Sequence, residues 1–147
     1  MTRYLQSIFC DDIRHEIGGK LSYIGVYTSK LLVPAFPVVV PKLCVAISAV
    51  TLVDRPFKKF SIRILKDADV LVETVLTDAQ LVQGIEALAD SPKEKFGDRC
   101  QVLQLSLVFS PFPIEAPCLL RVRAETEDDE LRGTGLKIEQ GAFTKQS

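Results

Sequence analysis

Apolar and polar side chains alternate with a period of two along much of the chain, the signature of strands with one buried face. Residues 3 to 10 open the pattern, with Leu5, Ser7 and Phe9 on one side and Tyr4, Gln6, Ile8 and Cys10 on the other. A polar cluster at 11–16 follows, and Gly18-Gly19 marks a turn because glycine tolerates positive φ. From Lys20 to Val33 the residues Tyr23, Ile24, Val26, Tyr27 and Leu31 predict a second strand, antiparallel to the first across a turn near 16–20. Gly25 within that strand predicts a bulge or a close backbone approach.

Ala35 to Pro41 carries prolines every few residues and reads as an extended crossing. Residues 43–52 are apolar on both faces, as suits a central strand covered on both sides. The stretch Lys59 to Leu65 places Phe60, Ile62 and Ile64 inward and Ser61 and Arg63 outward, and Val70 to Leu76 returns after a turn at 66–69. Thr77 with Gln80 is a capping-box pattern, and Leu81, Ile85, Leu88 and Ala89 predict a short helix over 78–89. Gly84 weakens that helix by about 1 kcal/mol relative to alanine. Past a charged loop at 90–99, Val102 to Phe109 directs Leu103, Leu105, Leu107 and Phe109 to the core, and Pro111-Phe112-Pro113 breaks the strand. Leu119 to Glu125 turns Leu120 and Val122 inward, a hairpin tip forms at 127–130, and Leu131 to Glu139 returns with Leu136 and Ile138 inward. Seven to nine strands of this kind, punctuated by glycine and proline, predict a mainly β, single-domain antiparallel β-sandwich of immunoglobulin-like character over 1–147, with a frayed tail at 141–147.

One stretch invites a different reading. Leu31 to Val53 is 23 residues with a single charge, Lys42, which is long enough for a membrane span. Pro34, Pro37 and Pro41 each remove a helical hydrogen bond inside it, and two strands joined by a crossing satisfy the same residues more simply.

Composition narrows the function classes. The 147 residues hold 18 basic and 19 acidic side chains, a formal charge of −1, so no global field draws the chain to nucleic acid or to an anionic membrane. The lack of tryptophan and an aromatic share of 7% weaken a base-stacking surface as well. Four cysteines, at 10, 44, 100 and 118, form no C-x-x-C pair and read as reduced, mostly buried thiols. The opening residues lack an apolar core of signal-peptide length, and a cytoplasmic setting is expected.

The densest polar chemistry lies in Cys10, Asp11, Asp12, Arg14, His15 and Glu16, which include the only histidine. Thiolate, carboxylate and imidazole are metal-ligand types, yet no second histidine or cysteine group stands at ligand spacing. Cys10 or an aspartate paired with His15 has the elements of a nucleophile and base, with no matching acid or oxyanion group identifiable. The leading structural reading is a polar strand end and turn in which Asp11 and Asp12 accept backbone N–H bonds and Arg14 pairs with one of them. The same residues on a positioned loop are also suited to recognition, and Asp11, Asp12, Arg14, His15, Glu16 and Lys20 are the candidate binding residues. Neither catalytic nor metal-ligating residues are assigned.

Elsewhere, Arg121, Arg123 and Arg132 are expected in cross-strand pairs with acids such as Glu125 and Glu130, each contributing under about 1 kcal/mol. The acidic tip 127–130 lacks calcium-loop spacing and, like the basic loop 55–59, reads as solvated. No phosphate loop, G-x-S-x-G elbow or H-E-x-x-H occurs.

The stretch Phe9 to Tyr27, F-C-D-D-I-R-H-E-I-G-G-K-L-S-Y-I-G-V-Y, resembles a family of small uncharacterised bacterial proteins that open with an F-C-D-D-I-R…G-G-K…G-x-Y pattern. The resemblance implies one β-rich domain and a bacterial cytoplasmic source, including a mobile-element or prophage setting. It brings no activity and no functional residues. The expectation is therefore a non-enzymatic module that binds another protein or itself, with apolar edge strands such as 43–52 offering a homodimer contact. No cofactor, nucleic acid, membrane or small molecule is expected as a partner. The alternatives are a small metal-dependent or Cys/His-based hydrolase centred on 10–16, and a structural component of a phage-like assembly.

Overall fold

The structure, a computed structural model, describes residues 3–81 and 100–141. Its twelve strands run β1 (Tyr4–His15), β2 (Leu21–Tyr27), β3 (Lys30–Val33), β4 (Val38–Val40), β5 (Leu43–Leu52) and β6 (Phe60–Lys66) in the first half. They continue as β7 (Asp69–Val75), β8 (Cys100–Phe109), β9 (Phe112–Ile114), β10 (Cys118–Thr126), β11 (Glu130–Arg132) and β12 (Leu136–Gln140). One sheet has the order β2-β1-β5-β8, the other β3-β12-β10-β6-β7 with β11 beside β10, and β4 pairs with β9 in a two-stranded ribbon. The protein is a β-sandwich. Alternation decides its core: Leu5, Phe9, Val45, Ile47 and Ala49 of the first sheet join Phe60, Ile62, Ile64, Leu120 and Val122 of the second in one cluster.

The alternating runs land on the faces expected of them, with Leu103, Leu120, Val122, Leu136 and Ile138 all buried. Several expectations need correction. The first strand continues through the polar cluster to His15, because β2 pairs with it from Phe9 to His15, interrupted at Asp11 opposite Gly25. Residues 43–52 are no edge: β5 lies between β1 and β8 and pairs with both, so it offers no free strand contact. Among the described residues the pairing is antiparallel except for one parallel pair, β3 with β12. Within 35–41, β4 forms and pairs with β9, where proline at 111 and 113 predicted only a break. The final return is two short strands, β11 and β12, and Ser61 is buried rather than outward.

The strands among the described residues number more than nine because several span only three or four residues. Residues 78–81 are helical, and the Thr77–Gln80 capping box forms, with the Gln80 amide donating to Thr77 Oγ1 at 3.3 Å and the Thr77 amide donating to Gln80 Oε1 at 2.8 Å. The rest of the expected helix, and 142–147 of the expected tail, lie outside the described residues. No helix among the described residues is long and apolar enough to cross a membrane.

One end of the sandwich is closed by a buried cation. The Arg3 side chain, 2% exposed, precedes β1 and donates from Nε to Thr51 Oγ1 at 3.0 Å and from Nη1 to Thr126 Oγ1 at 3.3 Å. Its Nη2 donates to the carbonyls of Arg55 and Pro56 at 3.1 and 3.0 Å and pairs with the Glu127 carboxylate. The guanidinium also stacks 4.7 Å over the ring of Phe57, which meets Phe60 edge-on. Gln101, fully buried, accepts the Phe57 amide at 3.1 Å and donates to the Leu81 carbonyl at 3.3 Å. Three segments distant in sequence, the end of β5, the loop 55–57 and residues 126–127, therefore converge on one charge. Thus the loop 55–59 and the tip 127–130, both expected to be solvated, are tied down: Phe57 is buried, and Arg55 pairs with Asp128 at 2.8 Å.

Burial alone would raise the Glu127 carboxyl, but hydrogen bonds from Arg3 and from the backbone of Lys58 hold it below its ordinary value. A group held low in the folded state contributes stability above its unfolded pKa and loses that contribution as the pH falls through the folded one. Arg3→Met is therefore expected to destabilise the fold by roughly 3 kcal/mol in chemical denaturation. The difference should be full above about pH 4.5, the ordinary value for this carboxyl, and shrink below it. Arg132→Gln, on an exposed pair, should stay within about 0.5 kcal/mol of the parent.

Candidate functional site

The β1–β2 hairpin carries the candidate residues at the end of the sandwich opposite Arg3, one twelve-residue strand away, or about 40 Å. Its turn is built by Gly18 and Gly19, with φ of +88° and +77°, and closed by the Glu16 amide donating to the Lys20 carbonyl at 2.8 Å. Two adjacent left-handed residues are why glycine stands at both positions.

Gly25 is a close approach, as its place in the strand predicts. Its φ is +67°, and a Cβ there would fall 2.8 Å from Asp11 Cγ. The space lets the Asp11 carboxylate lie across the strand and accept the Tyr27 hydroxyl hydrogen. Burial, reinforced by that carboxylate, pushes the Tyr27 phenol well above its ordinary value, so the phenol stays protonated. Asp12 Oδ1 accepts the Ile13 amide at 2.9 Å and pairs with Lys42 Nζ at 2.6 Å. The hydrogen bond from Lys42 lowers the Asp12 carboxyl below its usual range, and Lys42 is raised in turn. The expected pairing of Asp12 or Asp11 with Arg14 is thus replaced by one with Lys42, the lone charge of the 31–53 stretch.

Past Gly25 the hairpin leans over the outer face of its sheet. Tyr23 on the edge strand β2 accepts a hydrogen bond from Gln104 on the opposite edge strand β8 at 3.2 Å, across β1 and β5. Beneath this arm, Cys10 and Cys44 stand directly opposite each other, point away from the core cluster, and are nonetheless fully buried. The Cys44 thiol donates to the Asp11 carbonyl at 3.8 Å. Burial raises both thiols, and for Cys10 the neighbouring Cys44 adds to it, so neither is poised as a thiolate. Cys10, Cys44 and Cys118 are free thiols.

The candidate residues consequently divide. Asp11 and Asp12 brace the hairpin. Arg14, His15, Glu16 and Lys20 are exposed, opposite Ser22 and Leu21 or in the turn itself, and none of them enters an ion pair among the described residues. His15 lies five residues along the strand from Cys10, roughly 16 Å in extended geometry, too far for a nucleophile and its base. Among the described residues no three His, Cys, Asp or Glu side chains gather as a metal-ligand set. Besides Lys42, the sequence pattern did not single out Ile17, 95% exposed at the tip. Its signal is plain in hindsight: an isolated isoleucine between Glu16 and a Gly-Gly turn has no strand to bury it.

Of the arginines expected in cross-strand pairs, Arg123 and Arg132 lie near Glu130, while Arg121 enters no ion pair among the described residues. Glu130 receives Arg63 at 3.2 Å and lies within 3.8 and 3.7 Å of Arg123 and Arg132, while Glu125 pairs with Lys59 at 3.4 Å.

The sequence matches the model of a family described as a family of unknown function (DUF6941) over residues 5–139. No curated protein matches the chain.

The coupling between Gly25 and Asp11 is open to a double-mutant cycle. Gly25→Ala is expected to destabilise by more than the 1–2 kcal/mol of left-handed strain alone, because its methyl also displaces the Asp11 carboxylate. In an Asp11→Ala background the penalty should fall towards that strain term. Equal penalties in both backgrounds, measured by thermal or urea denaturation, would show that the carboxylate does not occupy the glycine's space.

Proposed function

The chain belongs to the DUF6941 family, whose function is unknown, and we propose that it works as a non-enzymatic protein-recognition module whose binding element is the tip of the β1–β2 hairpin. One observation carries the reading: Ile17 stands 95% exposed at the end of a braced two-stranded arm. Around it are the exposed side chains of Arg14, His15, Glu16 and Lys20, which enter no ion pair among the described residues. An apolar anchor inside a rim of both charge signs is how protein surfaces combine affinity with register. The arm is held in place beforehand by Asp12–Lys42, Asp11–Tyr27 and Tyr23–Gln104, so little ordering remains to oppose binding. Free thiols fit the cytoplasmic setting that belongs to this reading.

The hydrolase alternative draws less support. It needs Cys10 as a thiolate beside His15, and the thiol is buried, raised and far along the strand from the imidazole. Asp11 and Asp12 are each engaged by a partner of their own, Tyr27 and Lys42.

Immobilised parent protein and an Ile17→Asp variant, exposed to a lysate of the source organism, test the reading. Ile17 touches little of its own chain, so the variant should unfold within about 0.5 kcal/mol of the parent. A partner held by the parent should bind the variant at least about thirtyfold more weakly, the loss of a single anchor of roughly 2 kcal/mol. Equal capture by the two proteins would remove the tip from recognition.

A further inference from the structure

We propose that Arg121, Arg123 and Arg132 form a binding site for a phosphate monoester on the outer face of the second sheet. The proposal is independent of recognition at the hairpin tip and rests on how the strand register places like charges. Strand β10 buries Val122 and Ala124 completely, so the alternating Arg121 and Arg123 turn outward. Arg63 lies between the buried Ile62 and Ile64 of β6, and Arg132 follows the buried Leu131 of β11. The two ladders set Arg123 directly opposite Arg63 on one side and directly opposite Arg132 on the other. Three arginines thus stand in one row across three strands, about 5 Å from one Cα to the next. Arg121 stands roughly 7 Å along β10 from the middle of that row.

Like charges directly opposite each other disfavour pairing, and the face neutralises this row only in part. Among the described residues one carboxylate, Glu130, serves all three arginines of the row: Arg63 donates to it at 3.2 Å, and Arg123 and Arg132 lie within 3.8 and 3.7 Å. Arg63 reaches across β10 for that contact, away from Glu73, which the register sets opposite it on β7. The nearby Glu125 and Glu139 are engaged by lysines, Lys59 in the first case and Lys30 and Lys137 in the second. Four arginines against Glu73 and Glu130 leave a local charge of +2, on a chain whose formal charge is −1. Arg123, with its side chain 17% exposed, sits in the middle of this field. Burial first and then Arg132 pull its guanidinium below its ordinary value, Arg121 and Arg63 add to the effect, and Glu130 opposes it.

The chemistry of the patch selects its ligand. A guanidinium offers a planar fork of donors matched to carboxylate and phosphate oxygens. Arg132 is 74% exposed, Arg121 is exposed and enters no ion pair among the described residues, and Arg123 neighbours both. A carboxylate would bring one charge and two oxygens to these three forks. A phosphate monoester brings close to two charges near neutral pH and three terminal oxygens, which matches both the local charge and the number of forks. The phosphodiesters of a nucleic acid carry one charge each and match it less well. Arg63, held to Glu130, completes the positive field without being needed as a direct contact.

Titration of the full chain with inorganic phosphate, followed by NMR at the arginine Nε–H and backbone amide resonances, tests the proposal against sodium chloride of equal ionic strength. Saturable shifts centred on Arg121, Arg123 and Arg132 are expected, with a dissociation constant of about 1 mM or below. Arg121→Gln/Arg132→Gln should keep the parent's amide spectrum away from the patch and bind at least about tenfold more weakly. Lys30→Gln/Lys137→Gln removes as many charges elsewhere on the same sheet and should bind phosphate as the parent does. Glycerol 3-phosphate and a phosphoserine peptide, titrated in turn, separate a small ester from a phosphorylated protein as the source, by which of them binds more tightly. Shifts no larger in phosphate than in chloride overturn the proposal. A double arginine variant that binds as the parent does overturns it as well, as does equal weakening in the two double variants, since only unspecific charge attraction is then left.

Discussion

The burial of a single guanidinium decides how this sandwich closes. Arg3 precedes the first strand, and its five donors reach the end of β5, the loop after it and the β10–β11 tip, while its face lies on Phe57. A buried cation is tolerated only when its hydrogen-bonding capacity is met, and here two threonines, two carbonyls and a carboxylate meet it. No buried side-chain nitrogen or oxygen among the described residues is left without a partner. Because the acceptors come from segments distant in sequence, the charge constrains which loops meet as well as contributing energy.

That closure fixes one end of β1 and leaves the other to project. The same strand that begins in the Arg3 network runs through the core as Leu5, Ser7 and Phe9, then leaves β5 behind at Cys10 and continues with β2 as its only paired strand among the described residues. A two-stranded arm is marginal by itself. This one is braced by an ion pair to Lys42, by the Asp11–Tyr27 hydrogen bond over Gly25 and by Tyr23 against the far edge strand. The polar cluster that stands out in the sequence is thus used twice: its aspartates hold the arm, and its exposed residues are what the arm displays.

The fold was legible in the sequence wherever a strand alternates. Phe60, Ile62 and Ile64, or Leu120 and Val122, have no other way to share a face, and they lie in the core. Pairing partners were less legible. Residues 43–52 read equally as a central strand and as a sticky edge, and only the neighbours β1 and β8 decide for the centre. The parallel β3–β12 pair and the β4–β9 ribbon join residues over a hundred and over seventy positions apart, and nothing local encodes them. The candidate arm was found by its polar residues and its glycines, while its partner cation Lys42 and its exposed Ile17 were missed. The Arg3 network was invisible for the same reason as the ribbon: an arginine at the third position carries no mark of the five acceptors that will surround it.

Amide hydrogen exchange tests most directly the claim that β1 has one clamped and one displayed end. In the parent, amides of β5 should exchange slowest and those of the turn at 17–19 should exchange quickly. Arg3→Met should speed exchange around residues 51–61 and 124–128 and leave the turn as it was. A turn as protected as β5, or one that loosens with the loss of Arg3 as much as the segments around it, would contradict the account.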